Sequence, residues 1–138
     1  MFDQLKKYKN NGHFFFKKGD HLSKVSAAVP ELPEVYYILR LAKGKVDLVY
    51  IGMSGSMLQN GQFKSQLLKK LLNNIQGGVK RQLFFENKIA LEEIDALDIY
   101  WYVTFDKNNQ DLPAYVEGQL MQDYFRVHGT LPVWNKDF

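Results

Sequence analysis

A chain of 138 residues, 46% hydrophobic and 24% charged, has the length and composition of one globular domain rather than of a disordered segment. It contains no cysteine, which excludes disulfide frameworks, thiolate metal sites and cysteine nucleophiles together. The net charge of +3 hides an asymmetry: residues 1–81 carry 14 Lys and Arg against 5 Asp and Glu, whereas residues 82–138 carry 4 against 10. A basic half attracts a polyanion and an acidic half holds carboxylates for a metal, although solvated faces alone give the same pattern. The first residues lack the apolar core of a signal peptide, and no apolar run approaches the roughly 18 residues of a membrane helix. The expectation is a cytoplasmic protein with no membrane partner.

In chain order, Phe2 to Lys9 suits a short helix, and Phe14-Phe15-Phe16 is an apolar run too short to classify by periodicity. Asp20 can cap a helix through about Ala28, after which Pro30 and Pro33 impose extended or turn geometry. Val35 to Leu39 and Val46 to Ile51, separated by a turn with Gly44, predict two antiparallel strands. From Phe63 to Ile75 the apolar residues fall on one side of a helix that Gly77-Gly78 ends. A second helix is predicted over Val79 to Leu91, and Leu97 to Phe105 as a third, largely buried strand. Pro113 suits the first turn of a helix running to about His128 and stopping at Gly129. The expected fold class is α+β: a small, mainly antiparallel three-stranded sheet flanked by helices, in a single domain. Residues 1–33 are expected as a helical extension and 34–135 as the core.

Glu34-Val35-Tyr36-Tyr37-Ile38 followed by Val49-Tyr50-Ile51-Gly52 resembles the paired motifs of the GIY-YIG nuclease family. The second motif matches fully, while the first has Glu34 in the place of its glycine. Tyr115-Val116-Glu117 and Pro132-Val133-Trp134-Asn135 resemble the family's metal-binding glutamate and late asparagine. These features span about 100 residues in family order. An unrelated α+β domain with tyrosines as cross-strand packing residues is the alternative.

The resemblance implies a metal-dependent DNA endonuclease that hydrolyses phosphodiester bonds, restriction-like because the domain carries no evident recognition module. It makes Glu117 the metal ligand, Tyr36 the group that orients or deprotonates water, Tyr50 a phosphate-positioning hydroxyl and Asn135 a support for the site. The expected ion is Mg2+, which keeps several waters and accepts few protein ligands, with Mn2+ able to substitute. The expected partner is DNA, and cutting both strands from one site per chain favours a homodimer or successive nicking. Independently of the resemblance, Val116, Leu120, Tyr124 and Val127 define one helix face, and Glu117 lies at its border. Tyr36 and Tyr37, being adjacent on a strand, point to opposite sheet faces, with Glu34 and Ile38 on the side of Tyr36.

A second position also departs from the family. Its members carry a phosphate-holding arginine one residue before a leucine on the helix after the second motif, and that register falls here on Leu71. A leucine cannot bind phosphate, which leaves Lys64, Lys70 and Arg81 as candidates for the role. His13, His21 and His128 show no paired ligand spacing, and Gly52 to Ser56 lacks the lysine of a phosphate-binding loop. Two other functions remain open: a GIY-YIG-like nucleic-acid binding protein with weak or no cleavage, and a protein-interaction domain without a nucleic-acid role.

Overall fold

The computed structural model describes residues 2–63, 75–76 and 78–136. A 3-10 turn at Asp3–Lys7 leads into strand β1 (Asn11–Phe16) and the one-turn helix α1 (Leu22–Val25). Two long strands follow, β2 (Glu34–Ala42) and β3 (Lys45–Ser54). A two-residue hairpin, β4 (Ile75–Gln76) with β5 (Val79–Lys80), precedes helix α2 (Arg81–Leu91). Strand β6 (Ala96–Val103) and helix α3 (Pro113–His128) complete the order. No described helix is long and apolar enough to cross a membrane.

The fold is α+β, built on an antiparallel sheet of order β1-β6-β2-β3. This is one strand more than the three expected from sequence. The segment read as a helical extension supplies the extra strand, because Asn11 to Phe16 pairs with Tyr102 to Leu97. That pairing joins residues far apart in the chain, which a three-phenylalanine run without periodicity does not announce. The helix expected from Asp20 shrinks to Leu22–Val25 because the Asp20 carboxylate accepts the Lys17 amide at 2.9 Å and closes a turn instead of capping a helix. The helix predicted over 63–75 falls almost wholly outside the described residues.

The β2–β3 hairpin closes through Lys43 and Gly44, both with positive φ, as a two-residue turn matched to strand twist requires. Further along, the register shifts between Ile38 and Leu39, so Ile38 faces Tyr50 while Leu39 faces Leu48. The extra residue, Val49, lets Val49 and Tyr50 both turn toward the same core. That core lies between one sheet face and α2 and contains Phe16, Ile38, Phe85, Leu97 and Ile99, all fully buried. On the opposite face Val35 and Ile51 pack with Leu5, Tyr8 and the α3 residues Val116, Leu120 and Met121. Val127, placed by periodicity on the packed side of α3, is 65% exposed, since the helix runs past the sheet in its last turn. Pro113 stands at the start of α3 and Gly129, at φ +71°, stops it.

Candidate active site

Register decides which side chains share a face. Tyr36 sits opposite Gly52 on β3 and Trp101 on β6, and Ile38 opposite Tyr50. Tyr36, Tyr50 and Glu34 therefore project to the α2 side of the sheet, whereas Val35 and Tyr37 belong to the α3 side. The Tyr36 and Tyr50 rings lie 5.9 Å apart and tilted by 38°. Gly52 makes this possible, because a Cβ there would stand 2.7 Å from the Tyr36 ring carbon and 2.8 Å from both its hydroxyl and a Tyr50 ring carbon.

Arg81, the first residue of α2, is buried and donates from Nη1 to the Tyr36 hydroxyl at 2.7 Å. Its Nε has no hydrogen-bond partner among the described residues. Among the described residues Arg81 is a cation named from sequence that meets a motif tyrosine; Lys64 and Lys70, like Leu71, lie outside the described residues. A signal for this was present in the sequence, since Arg81, Phe85 and Ile89 recur at intervals of four and share the buried face of α2. Burial pushes the Tyr36 hydroxyl above its ordinary pKa, and the Arg81 charge opposes this only in part. A neutral hydroxyl that accepts from Arg81 keeps a proton to donate, and the Tyr50 side chain lies beside it. That favours orienting a water or phosphate oxygen over removing a proton.

Glu34, in the place of the motif glycine, is completely buried. Neither of its carboxyl oxygens has a hydrogen-bond partner among the described residues, and the same is true of the nearby Thr104 hydroxyl. Thr104 is tied to this end of the sheet by its amide, which donates to the Pro33 carbonyl at 3.2 Å. Burial pushes the Glu34 carboxyl up to about 8, against a smaller lowering influence of the Leu32 backbone. It is therefore protonated at neutral pH. The sequence marked position 34 as a departure from the motif, but nothing in it announced a buried, uncompensated acid.

Asn135 is held by the free edge of β3. Its Oδ1 accepts the Ile51 amide and its Nδ2 donates to the Ile51 carbonyl, both at 3.0 Å. Trp134 adds an amide bond to the Val49 carbonyl at 2.9 Å and an indole bond to Glu92 at 3.2 Å. The tail after α3 thus caps the edge strand that carries Tyr50. Asn135 acts through Ile51, as a positioning residue, and its amide is already engaged on both sides.

Glu117 follows Val116, whose side chain anchors α3 on the opposite sheet face. It makes no hydrogen bond to Tyr36, Tyr50 or Asn135 among the described residues, so these groups do not form one contiguous cluster. Burial alone pushes its carboxyl up to about 7. A hard cation is the group that most relieves a carboxylate held out of water, and Mg2+ needs only one or two carboxylates beside its waters. Glu117 fits that demand as a single ligand. Among the described residues no three His, Cys, Asp or Glu side chains converge into a fuller cage.

Comparison with protein-family models, curated proteins and solved structures finds no match for this chain.

Proposed function

We propose that this protein is a metal-dependent DNA endonuclease of the GIY-YIG type, acting on phosphodiester bonds with a relocated arginine. The observation that carries this reading is the bond from Arg81 to the Tyr36 hydroxyl, which puts a fixed guanidinium where the two motif tyrosines meet. In this reading Arg81 supplies the positive charge that a phosphate requires, and Tyr36 and Tyr50 orient oxygens by donating hydrogen bonds. Glu117, on the helix that packs against the other sheet face, would hold the divalent cation, which would supply charge neutralisation at the phosphate and the leaving oxygen. Asn135 keeps the β3 edge in register beneath Tyr50. The basic first half of the chain attracts the DNA.

A second reading, binding of nucleic acid with little or no cleavage, is favoured by the burial of Tyr36, only 1% exposed. Incubation with supercoiled plasmid and Mg2+ separates the two. Nicked product supports the nuclease; plasmid retarded but uncut at low salt supports the binding protein.

A further inference from the structure

The face of the sheet opposite Tyr36 carries a row of rings that the reading above does not use. His13 stacks on Tyr100 at 4.7 Å and 10°, and Tyr100 stacks on Tyr37 at 5.1 Å and 8°. Tyr102 lies beside Tyr37 at 6.1 Å and 23°. The ladder follows from register, since His13, Tyr100 and Tyr37 are direct cross-strand neighbours on β1, β6 and β2. Helix α3 lies over β2 and β3, and among the described residues no helix covers the β1–β6 side of this face. His13 and Phe15 are exposed there, Phe15 by 44%.

The His13 end of the ladder is exposed, whereas the Tyr37 end is half-buried. At the β1 edge His13 is oriented by the buried Asp98, through Nδ1 at 2.8 Å, with the Phe15 ring edge-on at 5.5 Å. At the other end a cleft of about 400 Å³ is lined by Phe2, Lys6, Asn11, Tyr37 and Tyr102. Phe2 packs on the Tyr37 ring at 5.6 Å, tilted by 50°, and closes this end of the ladder. Lys6 and Lys9 precede β1, and Lys17 and Lys18 follow it, at opposite ends of a six-residue strand. The acids of this region are largely engaged: Asp98 with His13, Asp111 with Lys7 and Tyr8, Asp3 with Lys6, and Asp20, beside Lys17 and Lys18, with the Lys17 amide.

We infer that this face binds single-stranded nucleic acid, with a base continuing the ring stack at its exposed His13 end beside Phe15 and phosphates meeting the lysines that flank β1. Flat rings with polar rims suit unstacked bases of any sequence, and the flanking cations suit a polyanion better than an apolar partner. A duplex offers no free base faces and would gain only the lysine contacts. The inference does not rest on the Tyr36 site, which lies on the other side of the sheet.

The test is fluorescence anisotropy with a labelled oligothymidylate of about 12 nucleotides, within the site sizes of single-strand binding folds. The double variant His13→Ala, Phe15→Ser alters only exposed side chains, and a thermal melt verifies its fold. Affinity is expected to fall about tenfold or more, as loss of a base-stacking contact implies, while Leu91→Ser, at the exposed end of α2 on the other side of the sheet, leaves it unchanged. Lys17→Glu with Lys18→Glu is expected to weaken binding and flatten its salt dependence. Unchanged affinity in the ring variant, no binding by the wild type at low salt, or equal competition by duplex would overturn the inference. So would a change of sedimentation mass in the ring variant without loss of oligonucleotide affinity, which would mark the face as a contact between copies.

Discussion

The Arg81 guanidinium and the Tyr36 hydroxyl, 45 residues apart in sequence, meet at 2.7 Å inside the protein. Each satisfies part of the other's polarity, so removing either leaves a buried group unpaired. Arg81→Ala is expected to cost on the order of 1–3 kcal/mol in urea unfolding, whereas the exposed Lys80→Ala costs almost nothing. A double-mutant cycle with Tyr36→Phe should return a coupling of about 1 kcal/mol or more. Additive effects would show that the bond contributes nothing to stability.

Gly52 is required for space, not for backbone conformation. A methyl group at this position collides with both motif tyrosines. Gly52→Ala is expected to destabilise by about 1–3 kcal/mol, as overpacking does, and to shift the tyrosine fluorescence. A crystal structure of the variant with Tyr36 and Tyr50 unmoved would refute this account.

Glu34 makes stability depend on pH. Its carboxyl is raised to about 8 from an ordinary 4.5, so the folded protein binds the proton more tightly than the unfolded chain. Its effect is therefore neutral to stability below about pH 4.5, and stability is lost as pH rises from there through about 8. Glu34→Gln keeps the shape without the charge. It should melt near the wild-type temperature at pH 4 and above it at pH 9, where its unfolding free energy should exceed the wild type's by up to about 5 kcal/mol. An equal melting difference at both pH values would mean that Glu34 does not titrate between them.

Asn135 holds β3 through two bonds to one residue. Asn135→Ala is expected to lose roughly 1–3 kcal/mol and to speed amide exchange at Ile51. Asn135→Asp keeps the acceptor but places a carboxylate beside the Ile51 carbonyl, so it should restore little. Rapid exchange at Ile51 already in the wild type would argue against the edge-capping role.

Local chemistry made α3 readable, because Pro113 starts it, Gly129 stops it, and Val116 and Leu120 lie on its packed side. The opposite orientations of Tyr36 and Tyr37 followed from strand geometry alone. Features that depend on distant partners were not readable in the same way. Phe14 to Phe16 becomes an edge strand only because β6 is there to pair with it. Arg81 was one of three candidate cations, and only the packing of Phe85 and Ile89 turns it toward Tyr36. The bulge at Val49 and the burial of Glu34 likewise arise from assembly of the sheet.

Nicking of supercoiled plasmid as a function of Mg2+ concentration tests the proposed nuclease most directly. The wild type should convert plasmid to nicked and linear forms only with the ion present. Glu117→Ala should abolish conversion, and Arg81→Ala should slow it by about a hundredfold or more, as loss of a charge-stabilising donor does. Conversion that persists in EDTA, or that is unaffected by Glu117→Ala, would contradict the assignment of metal-dependent cleavage to this site.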